Sequence, residues 1–329
     1  MRWPLALLLS VPLAASSVRI VQTNSAGDNV SIIDPVTNKV VGVIKGIEVN
    51  HGAAVAPDGS RYYISNEAQS TLDVVDTKSL KVTSSIPLSG HPNNISISKD
   101  GRRVYVAIAR APGAVDVIDT PSLRNVKSIS VKGAVHNTYV TPDGKWVVSG
   151  SIPSKTMTVI NQATETPEWS LEMDLGIRPM AFTTNPDGST GWILVQLSGF
   201  NGFAVVDFAT HKEIRRITLP DLPPGKAKVM SGGNESHGMA VTADRKTLVV
   251  NSRLNSSIYL YSLPDLKLQG SVEVGKAPDW VTLTPDGKMA YVACASSDMV
   301  YVIDLAAKRE VTRIAVGSAP KRNITVVLP

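Results

Sequence analysis

Three histidines occur in nearly the same short phrase at widely separated points of the chain. They are His51 in "VNHGAAVAPDG", His136 in "VHNTYVTPDG" and His237 in "SHGMAVTADR", and each precedes a turn aspartate by seven residues. Many catalytic zinc and copper sites bind the metal through three imidazoles and leave one coordination position open. If the fold brings these side chains together, the pattern predicts a divalent metal site, with zinc or copper as the metal and His91 as a fourth ligand.

Other chemically active side chains occupy the same phrase position or the loops nearby. In the remaining copies the position holds Asn93, Met180, Asp279 and Lys321. Carboxylates beside a metal or an imidazole are suited to acid–base catalysis, and arginines orient anionic groups. The predicted ligand is therefore a small anionic molecule. The predicted roles are acid or base for Asp279 and Glu67, orientation of the reacting group for Arg110 and Arg253, and substrate binding for Lys321, Asn93 and Gln196.

Two alternatives to a metal site stay open at this stage. The histidines can act without a metal, as binding or catalytic groups. They can also be structural and hydrogen-bond backbone groups where the strands begin. Four of the five histidines fall in these short connections, and that concentration favours a shared role.

A repeat of about 40 residues must position these side chains. A β-rich hairpin of the type "VYVIDLAAKREVTRI" occurs seven times, and a second hairpin of the type "VTLTPDGKMAYVAC" occurs six times. The missing seventh copy is split between "RIVQTN" near the start and "NITVVLP" at the end. The repeat predicts an all-β fold, a seven-bladed β-propeller of four-stranded antiparallel blades, closed by pairing the C-terminal strand with the N-terminal blade.

The blade geometry explains where the histidines would meet. Blades stand radially, so the first strand of each blade lines the central channel, and residues at its beginning face the channel mouth. Histidines from blades 2, 4 and 6 would converge on the axis from roughly even directions. We therefore expect a histidine-lined funnel.

The chain resembles the YVTN-repeat, or YncE-like, family of extracytoplasmic β-propellers. The resemblance covers essentially the whole chain after the first residues and rests on motifs such as "KAPDWVTLTPDGKMAYVACASSDMVYVIDLAAKREVTRIAVGSAP". It implies the fold, but it does not select an activity. The wider group includes lactonases, lyases, haem d1-type proteins, copper-binding proteins and proteins with no known activity.

Composition bounds the location and the partners. Residues 1–17, "MRWPLALLLSVPLAASS", have the layout of a secretory signal peptide, so residues 18–329 are predicted to form one periplasmic or secreted domain without a membrane span. Cys294 is the single cysteine, which excludes an intramolecular disulfide. The net charge of +5 is scattered rather than clustered, so no nucleic-acid partner is expected.

Two functions from different classes are consistent with these patterns. The first is an extracytoplasmic enzyme of hydrolase, lactonase or lyase type, or a copper redox protein. The second is a non-catalytic binding or scaffolding propeller whose face receives a protein, a peptide or a cofactor. The long connection from Leu219 to Ser236 is predicted to form a partial lid over the histidine face.

Overall fold

The computed structural model describes residues 16–222, 225 and 233–329. Nearly all of the predicted signal peptide and the middle of the predicted lid lie outside the described residues. The described chain is organised as 28 strands, and no helix in it is long and apolar enough to cross a membrane.

The strands form seven four-stranded antiparallel sheets, which are the blades. In chain order the strands are β1 Ser17–Asn24, β2 Asn29–Asp34, β3 Lys39–Lys45, β4 Asn50–Val55, β5 Arg61–Asn66, β6 Thr71–Asp76, β7 Val82–Pro87, β8 Pro92–Ile97, β9 Arg103–Ile108, β10 Ala114–Asp119, β11 Arg124–Ser130, β12 Val135–Val140, β13 Trp146–Ser151, β14 Thr156–Asn161, β15 Thr166–Glu172, β16 Ile177–Thr184, β17 Thr190–Leu197, β18 Gly202–Asp207, β19 Lys212–Thr218, β20 Ser236–Val241, β21 Thr247–Ser252, β22 Ser257–Ser262, β23 Leu268–Glu273, β24 Pro278–Leu283, β25 Met289–Cys294, β26 Met299–Asp304, β27 Arg309–Ala315 and β28 Pro320–Leu328.

Blade 1 contains β28, β1, β2 and β3, and blades 2 to 7 take four consecutive strands each from β4 to β27. The predicted fold class is therefore confirmed, including the closure of the ring. In the shared blade β28 runs antiparallel to β1, with Ile20 opposite Thr325 and Val18 opposite Val327. The two ends of the described chain thus complete one sheet.

The turn aspartates of the repeat fix the hairpins by local hydrogen bonds. In blade 2 the Asp58 carboxylate accepts hydrogen bonds from the backbone and hydroxyl of Ser60, at 2.9 and 2.7 Å. Gly59 has a φ of 70°, and its amide donates to Ala56 O at 2.8 Å. A left-handed residue after proline and aspartate is the turn chemistry that the phrase predicts.

The hydrophobic core is divided into seven clusters, one at each interface between neighbouring blades. The cluster between blades 2 and 3, for example, joins Tyr63 and Leu72 to Ile95 and Val106. Another joins Ile20 and Ile33 of blade 1 to Tyr291 and Val300 of blade 7 and so supports the closure. Each blade is held by two neighbours, which fixes the beginnings of the inner strands relative to one another.

Candidate functional site

An irregularity at the start of each inner strand places one residue at the mouth of the channel. In blade 2, Asn50 pairs with Asn66 and Ala53 with Ile64, so His51 and Gly52 fall in a bulge between regular pairs. The same shift occurs in the other six inner strands. Bulges re-aim side chains. The residue after the first pair in each blade forms what we call the mouth ring: His51, Asn93, His136, Arg178, His237, Asp279 and Lys321.

The register corrects the sequence alignment in blade 5. Ile177 pairs with Leu197 and Met180 with Val195, so Arg178 occupies the mouth ring and the expected Met180 lies in the blade core, 3% exposed. In blade 5 this position precedes the turn aspartate Asp187 by nine residues, whereas in blade 2 His51 precedes Asp58 by seven. The prediction was wrong because a second irregularity near Thr184 lengthens the hairpin. The mouth ring therefore contains the cation Arg178 in blade 5.

The three histidines of the mouth ring meet. The ring centroids of His51 and His136 are 6.4 Å apart, and those of His136 and His237 are 6.3 Å apart, with both pairs close to perpendicular. His237 Nδ1 lies 2.9 Å from Asp279 O, so Nδ1 carries the proton and donates it, leaving Nε2 with its lone pair. His136 Nδ1 lies 2.5 Å from Asn137 Nδ2.

His51 also contacts a carboxylate. Its Nδ1 lies 2.6 Å from Glu67 Oε1, while its Nε2 is enclosed and has no hydrogen-bond partner. Glu67 follows β5 directly, and its other oxygen lies 3.7 Å from Nε2 of His91. Asn93 Nδ2 also lies 3.5 Å from Glu67 Oε1. Glu67 therefore bridges two imidazoles, one buried and one 31% exposed at the side chain.

Three cationic side chains complete the rim. Arg178 Nε donates to Ser198 Oγ at 2.9 Å, and Ser198 holds in blade 5 the place that Glu67 holds in blade 2. Arg253 forms an ion pair with the buried carboxylate of Asp279, although the contact is not aligned as a hydrogen bond. Lys321 is the third cation. We call the space bounded by the mouth ring, Glu67 and Arg253 the funnel.

Burial and charge together keep the histidines neutral. Burial is the main cause that lowers the pKa of His51, His136 and His237 well below the usual value, and nearby cations lower it further. Burial likewise lowers the pKa of Lys321, and it raises the pKa of Glu67 against the opposing effect of His91 and Lys321. Neutral imidazoles add no charge to the pocket and can face an anion, whose negative charge would favour their protonation during a reaction.

Other predicted residues lie away from the funnel centre. Arg110 is exposed after β9 and lines, with His91, a surface pocket of about 480 Å³. Gln196 lies within β17 rather than in a loop and is fully buried, with Nε2 3.5 Å from Asn251 O. Cys294 is buried, as its position at a strand end predicts. Within the described ranges, no three His, Cys, Asp or Glu side chains are close enough together to hold a metal ion.

The sequence reasoning missed three funnel residues. Arg178 was hidden by the longer hairpin of blade 5. Trp280 and Arg322 follow the mouth ring directly, where blades 2 and 6 have Gly52 and Gly238. The sequence did show that these two residues are large at a position where blades 2 and 6 have glycine. The small residues of those blades leave room near the axis for the two large side chains.

Architecture and site define the class: a closed seven-bladed β-propeller with a polar, histidine-containing funnel on its axis. A family model described as a YNCE-like beta-propeller matches residues 219–327, and one for the cytochrome D1 heme domain matches residues 17–147. With the seven blades, these two partial matches confirm the resemblance to YncE-like seven-bladed propellers. No curated protein is significantly similar to the chain in sequence.

Solved structures with the same architecture include enzymes. A chain of Kuenenia stuttgartiensis hydrazine synthase is 25% identical, with a TM-score of 0.76 over 87% of this chain and 92% of that chain. Dihydro-heme d1 dehydrogenase NirN is 19% identical, with a TM-score of 0.64 over 93% and 74% of the two chains. The Pseudomonas aeruginosa periplasmic gluconolactonase PpgL is 19% identical, with a TM-score of 0.74 over 95% and 100%. The last two likenesses concern the fold alone.

Proposed function

We propose that the protein is an extracytoplasmic hydrolase of lactonase type that binds a small anionic molecule in the funnel. The observation that carries the proposal is the pair of His51 and Glu67, with Nδ1 2.6 Å from the carboxylate, an enclosed Nε2 without a hydrogen-bond partner, and the His136 ring next to His51. The periplasmic gluconolactonase PpgL is an example of the same fold in a protein of that reaction class and compartment. The predicted signal peptide supports the compartment independently.

The pair supplies a general base. Because the Glu67 carboxylate accepts a hydrogen bond from Nδ1–H, Nε2 of His51 has the free lone pair that removes a proton from water. The hydroxide equivalent adds to the lactone carbonyl, the ring C–O bond breaks, and the proton returns from Nε2 to the leaving alkoxide. Glu67 stabilises the imidazolium between these steps, as a carboxylate does behind other catalytic histidines.

The cations supply binding. Arg178, Arg253 and Lys321 lie at the rim, and Arg253 forms an ion pair with the carboxylate of Asp279. A carboxylate or phosphate on the ligand would be held by these side chains and would be turned toward His51. Asp279 is engaged by Arg253, so we assign it to positioning that arginine rather than to proton transfer.

The hydrogen bonds of the histidines are those of metal ligands, but their rings are farther apart than in a metal site. Histidines that bind metals usually donate Nδ1–H to a carboxylate or backbone carbonyl, as His51 and His237 do here. Two imidazoles on one zinc or copper ion would have centroids about 5 Å apart, given metal–nitrogen distances of about 2.1 Å. The observed 6.3 and 6.4 Å require the rings to approach. A bound ion would polarise the substrate carbonyl, and His51, His136 and His237 would hold it.

A haem-related ligand is the second candidate, favoured by the match of residues 17–147 to the cytochrome D1 heme domain. That segment contains His51, His91 and His136, and the orphaned Nε2 of His51 suits an iron ligand. The cationic rim suits the carboxylates of such a group. In this case the propeller would be a binding protein, in line with the non-catalytic alternative.

The test compares matched histidine variants. We expect His51→Gln and Glu67→Gln to lower kcat/KM for glucono-δ-lactone and carboxylated lactones by about 10²-fold or more, the usual contribution of a general base. His211→Gln is the control, because His211 stacks on Trp169 in the strand-and-turn region outside the funnel. Equal rates in His51→Gln and His211→Gln, or no lactone turnover by the wild type, would contradict the proposal.

Two further measurements separate the ligands. Elemental analysis after exposure to zinc or copper and desalting should give one equivalent in the wild type and none in His51→Gln if the metal version holds. Titration with haem should give a shifted Soret band that His51→Gln loses if the second candidate holds. Full lactone turnover by chelator-treated protein would restrict the mechanism to the imidazole and carboxylate groups.

A further inference from the structure

A buried arginine crosses the channel next to the histidines. Arg322 follows Lys321 in β28 and is 9% exposed. Its guanidinium carbon lies 4.3 Å from the ring centroid of Trp280 in blade 7 and 5.6 Å from that of Tyr139 in blade 4. Because Arg322 belongs to blade 1, its side chain spans from one side of the ring toward the opposite blade.

The charge of Arg322 lacks a counter-ion in the described part of the chain. Nε and Nη1 are enclosed and have no hydrogen-bond partner, and no described carboxylate forms an ion pair with the guanidinium. The aromatic faces of Trp280 and Tyr139 attract the cation, but a ring quadrupole compensates a buried charge only in part. Buried polar groups without partners call for an explanation, and the capacity to bind an anion is one.

The aromatic residues around Arg322 are connected to the histidines of the mouth ring. The Trp280 ring lies 5.1 Å from the ring of His237. Tyr139 Oη lies 3.4 Å from Asn137 Oδ1, and the amide nitrogen of Asn137 contacts His136. Arg322 also exerts its charge on His51. The guanidinium therefore forms the inner end of the funnel, with neutral imidazoles between it and the mouth.

We propose that Arg322 anchors an anion subsite at the inner end of the funnel, which takes one small planar oxyanion. The guanidinium carbon lies over the Trp280 ring, and the Tyr139 hydroxyl is a hydrogen-bond neighbour of the guanidinium. An anion would therefore bind at the unpartnered Nε and Nη1, whose N–H groups suit a carboxylate. The oxyanion is either a free ion or the carboxylate arm of the funnel's ligand. Only the second source rests on the proposed function.

The experiment measures thermal stability against sodium formate and sodium nitrate at constant ionic strength, balanced by a bulky sulfonate. A ligand that binds the native state raises the midpoint in a saturable way. We expect this rise in the wild type and in the exposed control Arg110→Met, and a flat response in Arg322→Met. Arg322→Lys keeps the charge without the planar edge and should bind formate about tenfold or more weakly, since a hydrogen bond to a charged group contributes that much.

The proposal fails if Arg322→Met keeps the wild-type response, or if the wild type has none. Arg322→Met should fold, because it removes an unpartnered charge and keeps an apolar stem. Competitive inhibition of lactone turnover by formate would assign the subsite to the ligand's carboxylate, whereas stabilisation without inhibition would assign it to a resident ion. His51→Gln should retain the formate response even where it abolishes turnover, so the subsite and the proposed function are tested separately.

Discussion

The two ring nitrogens of His51 have different surroundings, and that difference determines what the residue can do. Nδ1 faces the Glu67 carboxylate, and Nε2 is enclosed without a hydrogen bond. Protonation of a buried imidazole beside cations is unfavourable, so the neutral form persists to low pH. The same is true of His237, which is 1% exposed.

These neutral histidines predict acid sensitivity of the fold. In the unfolded chain they bind protons below their usual pKa of 6.5, but in the native state the pKa is much lower. Unfolding therefore takes up protons in this range, and stability falls as pH drops below about 6.5, by about 1.4 kcal/mol per pH unit for each histidine. Glu67, with its raised pKa, has the opposite sign and offsets part of the loss below its native pKa.

Urea unfolding from pH 7.5 to 5 measures this slope. His51→Gln combined with His237→Gln should reduce this slope by the contribution of about two protons. An unchanged slope in the double variant would show that the native histidines are already protonated.

Single residues were predictable where the repeat kept its spacing. His51, His136 and His237 follow one rule of position, and the structure brings them into contact. Arg322 was not predictable in this way, because its importance comes from the length of its side chain and from partners in blades 4 and 7. The sequence around Arg322 does not indicate these contacts with distant blades.

Among the strands, the bulge at the start of each inner strand is the element that builds the funnel. It advances the inner strand by one residue against its partner, so the mouth-ring side chain leaves the sheet. The next residue then lies against the neighbouring blade. A Cβ added to Gly52 would lie 2.7 Å from Ile95 N and 2.8 Å from Asn93 O.

This close approach predicts that Gly52→Ala destabilises the protein and displaces His51. The added methyl meets backbone rather than a flexible side chain, so β4 must move away from β8, at a cost of about 1–3 kcal/mol. Formation of the His51 pair with Glu67 should weaken too, which would lower any His51-dependent activity. The control is Gly27→Ala, where the nearest atom to the new Cβ is 3.4 Å away. Chemical denaturation of both variants measures the difference, and equal midpoints would contradict the account.

The hairpin type was readable from the Pro-Asp-Gly turns, but the exact register was not. Blade 5 carries two additional residues before its turn, and only the strand pairing shows that they follow Met180 rather than precede it. The resulting choice of Arg178 or Met180 decides whether the funnel receives a cation or a thioether. Spacing rules therefore locate a site of this kind to within one or two residues per blade.

At the scale of the molecule, ring closure controls the site as well as the fold. β28 pairs with β1 and contacts the inner strands of blades 2 and 7, while it carries both Lys321 and Arg322. Complementary halves at the two ends made this closure predictable from the sequence. Two of the funnel's cations thus depend on the last strand of the chain.

We therefore expect truncation after Ala319 to unfold or aggregate the protein, because blade 1 loses its inner strand and exposes the edge of β1. Removing Pro329 alone should leave the protein monodisperse, since Pro329 lies beyond β28 and is exposed. A peptide of residues 318–329 added during refolding should restore a single compact species by pairing with β1. Size-exclusion chromatography with circular dichroism measures each case. An Arg322→Met peptide that restores the compact species but not the formate response would separate the structural contribution of β28 from the charge of Arg322. A truncated protein that stays compact and monodisperse without any peptide would show that six complete blades suffice for the ring.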